Sequence, residues 1–454
     1  MAAYVMLIVP QLDLRYRVRA LSSIHGVVQE RDEGHPARAQ CVRIYKPRID
    51  LKLAQVSSSP PPFKAVVSPI TKDAETSLYT IPVNDNSPLV LDLNGPIIWS
   101  LCTSNHKTIP RNSPTCAAAA KFQPPECGGN TTSSLRNNKC ICTAYPVNPV
   151  TGNCSSGDLT FMPSVTTNAT DGKNPLYQVG FSDLVSSCAP RSLLSSLPSG
   201  ATGVAGLGRS SNLSLPCQLS SFNLEKQFAL CLPSGGAGVA FFGSKPFDLI
   251  HMTSDRNISD YLTYTDLLKN PVNSAYYIDV KLVAVNTEAV PLPAHALELH
   301  KKANGGGVTL TTAIPYTALR SDIYQPFLKA YDEASSYIQR VAPVKPFELC
   351  YNSTTMGSTR MGYAVPQIDL VLNGGKNWTI FGGNSIVQVD PVTACFGFVD
   401  AGPKADKAIQ IGGFQMENIL VSFDLKRKRM GYTGLLFGIM TTCSNFNFTY
   451  AGGF

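Results

Sequence analysis

A chain of 454 residues, 44% hydrophobic and only 15% charged, is neither disordered nor coiled. It can bury two lobes of roughly 150–200 residues each. Its formal charge of +7 is moderate for that length and lacks the concentrated basic face that nucleic acid demands, so an acidic matrix or an acidic protein partner is favoured over nucleic acid. No segment approaches the length of a membrane-spanning helix, and no membrane partner is expected.

The amino terminus fits nothing expected of a leader. Ala2 to Pro10 is apolar but short, and Asp13, Arg15 and Arg17 interrupt it before any cleavage site. Residues 1–60, with the lone Cys41, read as an atypical segment from a wrong start or a mis-joined exon. Folded character begins at Pro60-Pro61-Pro62-Phe63, a proline-rich boundary. Short β-type runs then alternate with turn clusters: Ser77–Pro82, Leu89–Leu93, Ile97–Ser100, Gly238–Phe242, Tyr276–Val285, Ile368–Leu372 and Ile409–Gly412. Val, Ile, Tyr, Phe and Thr at this density, punctuated by Gly, Pro and Asn, predict a mostly-β protein. One helix is predicted over Ser321–Arg340, with Ile323, Phe327, Ala330 and Ala334 on its apolar face. Lys426-Arg427-Lys428-Arg429 lies between two β-type runs and reads as a hairpin tip.

Twelve of the thirteen cysteines lie between Cys102 and Cys443. Cys102, Cys116, Cys127, Cys140, Cys142 and Cys154 crowd a stretch too rich in Pro, Asn, Gly and Ser to fold by burial alone. With Cys188, Cys217, Cys231, Cys350, Cys395 and Cys443 they are candidates for disulfides in an oxidising compartment. Zinc is not expected, because no CxxC pairs or clustered histidines accompany Cys140-Ile141-Cys142. Eight sequons agree with secretion: Asn130, Asn153, Asn168, Asn212, Asn257, Asn352, Asn377 and Asn447.

An internal echo points to two related halves. Leu89–Gly95 recurs in outline as Gly307–Ala313, each an apolar strand leading into a tight turn. Gly203-Val204-Ala205-Gly206-Leu207-Gly208 recurs as Ile409–Gly413, where glycines suggest close backbone packing. A phosphate-cradling loop is rejected on spacing.

These paired turns carry a specific resemblance. Leu91-Asp92-Leu93-Asn94-Gly95, followed by Trp99 and Cys102, resembles the first active-site strand of plant aspartic peptidases, and Ile409–Thr433 resembles the penultimate strands. The resemblance implies a bilobal pepsin-like fold, with lobes at 61–250 and 251–454. Such peptidases need two carboxylates sharing a proton. Asp92 stands at the first position, followed by Leu93 and Asn94 in place of Thr and Gly. Thr311, Thr312 and Ala313 stand where the second Asp-Ser-Gly belongs, and Asn148-Pro149-Val150 aligns loosely with the tyrosine-bearing flap. Asp92 and Thr311 are therefore read as vestigial, with no peptidase activity expected.

Cys142–Gly152, Ser187–Pro190, Ile314–Thr317, Gly362–Pro366 and Gly412–Glu417 are similar to the TAXI-type xylanase inhibitors and the neighbouring extracellular dermal glycoproteins and xyloglucanase inhibitors. The resemblance implies a secreted apoplastic or cell-wall glycoprotein of plant defence, without cofactor. It would block the cleft of a microbial xylanase or endoglucanase; a non-inhibitory seed or cell-wall glycoprotein is the alternative. An acidic cell-wall polysaccharide is a further candidate partner. The contact candidates it implies are Arg360, where the xyloglucanase inhibitors also place arginine, and Phe437, Ile439 and Met440 before the last cysteine. The histidine that the xylanase inhibitors use in that second region is absent, since no histidine follows His300. Relatives carry a cysteine where Arg111 stands, and Cys217 is extra.

Overall fold

The computed structural model describes residues 63–83, 87–123, 127, 141–209, 211–251, 256–300 and 305–449, together with the backbone of strand Ile49–Asp50. All of these lie within the unit Cys41–Phe454. The expectations for residues 1–48 and 51–60, for Cys140 and for Asn130 fall outside the described residues. Ile49–Asp50 runs antiparallel to Gly180–Phe181.

Two copies of one strand framework make up the centre. In the first, Pro88–Asp92 runs parallel to Gly203–Gly206. Gly203–Gly206 pairs antiparallel with Trp99–Ser100, which lies parallel to Val185–Cys188. In the second, Val308–Leu310 runs parallel to Ile409–Ile411, which pairs antiparallel with Thr317–Leu319, itself parallel to Phe398–Asp400. The register is equivalent in the two copies. Leu89 opposes Gly203 as Val308 opposes Ile409, so Val308, not Gly307, answers to Leu89; the outline read from the sequence was one residue out. Burial on both faces of the parallel pair explains the unbroken apolar run Leu89–Leu91 of the first copy, whereas Thr309 and Gln410 interrupt the equivalent strands of the second.

A further set of strands joins residues far apart in the chain. Gln227–Cys231 pairs with Leu420–Asp424, which turns back into Arg429–Tyr432, which in turn pairs with Thr263–Asp266. Phe228 stacks on Phe423 at 4.7 Å between ring centres, and Tyr276 lies 4.4 Å from Phe423. All three rings are buried. Each contributes on the order of 1.5–3 kcal/mol by leaving water.

Among the described residues five disulfides pin this framework: Cys102–Cys188, Cys116–Cys142, Cys127–Cys154, Cys231–Cys443 and Cys350–Cys395. Cys217, expected among them, is a free thiol on the short helix Leu215–Leu219, its candidate partners among the described residues being already paired.

Two elements differ from expectation. The helix spans Ser321–Ala334 and stops short of Arg340: beyond it the Ser336 amide bonds to the Glu333 carbonyl and the Ile338 amide to the Ser335 carbonyl, each three residues back, as the chain turns into strand Arg340–Val341. Its buried face is Ile323, Tyr324, Phe327 and Tyr331, with the alanines only half-buried. Tyr276–Val285 is two strands, Tyr276–Ile278 and Val280–Val285, which join different sheets on either side of Asp279.

Candidate functional site

The common register fixes which residues answer to which. Asp92 ends its strand opposite Gly206, and the equivalent position in the second copy is Thr311, one residue beyond the Leu310–Ile411 pair. Trp99 answers in the same way to Ala318. Both turns are closed by the same local bond. Asp92 Oδ1 accepts from the Asn94 amide at 2.8 Å, and Thr311 Oγ1 accepts from the Ala313 amide at 3.1 Å. Threonine's hydroxyl thus replaces the carboxylate as a turn acceptor.

Asp92 is 6% exposed. Burial pushes its carboxyl up to about 6, against the pull of the Asn94 and Gly95 amides. Thr311 offers a hydroxyl that does not titrate near neutral pH.

A third group couples the two turns. Thr312 Oγ1 donates to the Leu91 carbonyl at 2.6 Å and accepts from the Leu93 amide at 3.2 Å. The first turn cannot reciprocate, because Leu93 stands where Thr312 has its counterpart. Closeness of backbones is enforced by glycine. A Cβ on Gly206 would stand 2.4 Å from the Ile97 carbonyl oxygen, and one on Gly412, its equivalent, 2.5 Å from the Tyr316 carbonyl carbon. Sequence reading missed the bridging role of Thr312, and only its place directly after Thr311 hinted at it.

Around this centre the expected flap segment is an anchored turn. Trp99 Nε1 donates to the Val147 carbonyl at 2.9 Å. Asn148, fully buried, donates to the carbonyls of Leu193 and Ser195 at 2.9 and 2.7 Å and accepts from the amides of Val150 and Thr151. A buried acid that sequence reading did not single out lies nearby. Glu417 accepts from the Tyr79 hydroxyl at 2.7 Å and pairs with Lys72 at 2.6 Å. Burial raises its carboxyl above the ordinary range, with Lys72 and Tyr79 opposing. Among the described residues, the group within metal-ligating reach is Cys102, His106 and Cys188, whose two thiols are joined to each other.

The contact candidates come from two loops that pack together. Arg360 sits at the turn between strands Ser358–Thr359 and Gly362–Tyr363, exposed and without an ion pair among the described residues. Gly362, with φ of +99°, presses against Gly383, whose amide donates to the Met361 carbonyl at 2.7 Å. The second loop is the short helical turn Leu436–Ile439. A Cβ on Gly438 would meet Met361 Sδ at 3.5 Å, and one on Gly383 would meet the Phe437 ring at 3.5 Å, so both loops rest on the same seat. Met440 is 43% exposed. Phe437 is half-buried against the main core, and Ile439 against the cluster that holds Cys443.

Of the sequons described, Asn153, Asn212 and Asn377 are exposed, whereas Asn168, Asn257, Asn352 and Asn447 are half-buried.

Two copies of one strand framework, meeting at facing turns, define a pepsin-like fold. Solved structures agree: the crystal structure of edgp matches with a TM-score of 0.77 and 35% identity, over 86% of this chain and 100% of that one. The crystal structure of basic 7S globulin from soybean matches with a TM-score of 0.70 and 28% identity, over 85% and 99%. Residues 79–244 match the family described as xylanase inhibitor N-terminal, and residues 275–434 match xylanase inhibitor C-terminal. The chain belongs to this xylanase-inhibitor family. Among its relatives, chitinase CLP of Oryza sativa subsp. japonica is 47% identical over 402 residues, 86% of this chain and 92% of that protein. Gamma conglutin 1 of Prunus dulcis is 32% identical over 399 residues, 84% and 89%.

Proposed function

We propose that this chain is a secreted, peptidase-silent member of its family that binds a microbial xylanase or related endoglucanase and occludes its substrate cleft. The observation that carries the reading is the joint seat of the Arg360 turn and the Leu436–Met440 loop on Gly383. It puts exposed Arg360, without an ion pair among the described residues, and exposed Met440 on two loops that pack together. A guanidinium suits the carboxylates of a glycosidase cleft, and a thioether suits its apolar walls. Phe437 and Ile439 serve this surface as supports, since their side chains are half-buried in the body. The halves 61–250 and 251–454 act as two lobes, and the second supplies both contact loops.

Silence as a peptidase rests on Thr311. A proton-sharing dyad needs two carboxyls, and a threonine hydroxyl supplies neither base nor acid at the working pH. Acid-pH casein digestion by the purified chain is expected to be absent or insensitive to pepstatin; pepstatin-sensitive turnover would restore the enzyme reading. The name of the rice relative suggests chitin hydrolysis as another activity. Chitin's own acetamido group can stand in for a second enzyme carboxyl, so the absence of a dyad does not decide this activity; release of soluble sugar from colloidal chitin by the purified chain tests it directly.

Titrating a panel of xylanases and xyloglucanases with the chain tests the inhibitor reading. At least one stable complex with loss of hydrolysis is expected. Neither complex nor loss across the panel overturns it in favour of a non-inhibitory seed or cell-wall glycoprotein, a reading supported by similarity to gamma conglutin and basic 7S globulin. Against a responsive enzyme, Arg360→Ala is expected to weaken binding about tenfold or more while leaving thermal stability unchanged. Unchanged inhibition would remove Arg360 from the contact surface.

A further inference from the structure

The hairpin Leu420–Asp424 to Arg429–Tyr432 has two ends with different characters. Its root continues through Gly434 into the Leu436–Met440 loop. Its tip, about 14 Å away along a five-residue strand, carries Lys426, Arg427 and Lys428, all exposed, and the half-buried Arg429. Two exposed lysines from elsewhere in the chain join them, Lys376 at the start of strand Lys376–Ile380 and Lys245 just after strand Ala237–Gly243. Lys376 Nζ donates to the Tyr264 carbonyl at 2.6 Å, and Lys245 Nζ contacts the Tyr264 hydroxyl.

Tyr264 organises this cluster. The Arg429 guanidinium lies 4.0 Å from the centre of its ring and the Lys245 ammonium 4.9 Å. Beneath them, Asp424 is 3% exposed and pairs with Arg427 at 3.0 Å and Arg429 at 3.4 Å. The ring and the buried carboxylate hold long cationic side chains in place, which lowers the entropic cost of binding an anion. With Asp424, exposed Asp266, opposite Arg429, and exposed Glu225 make three carboxylates nearby, too few to neutralise six cations.

We propose that this hairpin tip is a docking surface for an anionic, uronic-acid polysaccharide, separate from the enzyme-contact loops at the hairpin root. A linear polyanion matches a clustered array of ammonium and guanidinium groups that offers no enclosed pocket. Five disulfides place the protein in an oxidising compartment, where a carboxylated glycan is a more accessible polyanion than nucleic acid. The surface would hold the protein on a charged matrix while its other end stays free.

The test is retention of the full chain on immobilised polygalacturonate over a salt gradient, beside Lys426→Glu/Lys428→Glu and the milder Lys426→Gln/Lys428→Gln. Wild type is expected to bind at low salt, with affinity falling linearly in log salt as counterions are released. The Glu pair is expected to bind at least tenfold more weakly, with a shallower salt slope, and the Gln pair to fall between. Should the Glu pair fail to fold, the Gln pair decides. Equal retention of wild type and variants overturns the assignment. So does tighter binding of wild type to duplex RNA or to anionic vesicles than to polygalacturonate. Enzyme inhibition is read separately, so failure here leaves the cleft-blocking reading standing.

Discussion

The turns that begin at Asp92 and Thr311 share strand register, glycine-enforced approach and an acceptor bonded to the amide two residues on, yet they differ in the chemistry they can perform. The difference separates what a turn needs structurally from what catalysis needs. An oxygen at the first position is enough to shape the turn, and threonine supplies one. Only a carboxyl can exchange a proton there. The asymmetry continues one residue on, where the Thr312 hydroxyl holds the partner strand by two bonds and the apolar side chain of Leu93 can make no hydrogen bond in return.

The strongest way to break the comparison is to remove its cross-link. Thr312→Val keeps the shape but leaves the Leu91 carbonyl and the Leu93 amide buried without partners, at about 1–3 kcal/mol each. A loss of about 2–5 kcal/mol is expected in urea unfolding. A loss below about 1 kcal/mol would mean that the two turns are held by packing alone.

A second test isolates the surviving acid. Because the folded-state pKa of Asp92 is raised from 3.8 to about 6, the folded protein binds the extra proton between these values. The stability from this group is therefore fully present below about 3.8 and is lost as pH rises through about 6, a swing on the order of 3 kcal/mol. Asp92→Asn retains an acceptor for the Asn94 amide and removes the titration. The variant is expected to gain on wild type steadily from pH 4 to pH 6.5 and to hold a constant advantage above that. A difference independent of pH would place the Asp92 carboxyl in a better-solvated setting. Glu417 is raised by burial as well, but it titrates in both proteins and cancels.

How much of this was legible in the sequence depended on range. Asp92 and Trp99 stand seven residues apart on one strand-turn-strand unit, so local pattern located them. The basic run 426–429 read as a hairpin tip because apolar strands flank it closely, and the structure has it there. Thr312 could not be read as a bridge, since its partners Leu91 and Leu93 lie more than 200 residues away. Disulfide pairing was hidden for the same reason, Cys231 and Cys443 being 212 residues apart. The predicted helix overran its end because apolar spacing persists beyond Ala334, at Ile338 and Val341, while the backbone has already tightened into turns bonded three residues back. Packing of the Arg360 turn against the Leu436–Ile439 turn was equally invisible, because both meet through Gly383, a residue with no side chain to signal it.

The smallest effect sharpens the comparison most. If Thr311 is retained as a turn acceptor, Thr311→Val should cost about 1 kcal/mol, the worth of one ordinary hydrogen bond, with no dependence on pH between 4 and 7. Thr311→Ser keeps the hydroxyl and should recover most of that loss, less the packing of one methyl group. A second substitution, Thr311→Asp, places a carboxyl opposite Asp92 in the same buried centre. Two like charges there cannot both ionise cheaply, so the pair should titrate in two separated steps and the variant should lose stability more steeply than wild type as pH rises past 6. Should Thr311→Asp instead follow the wild-type pH profile, the two positions would be too far apart or too well solvated to interact. Equivalent strand register would then not amount to a shared site.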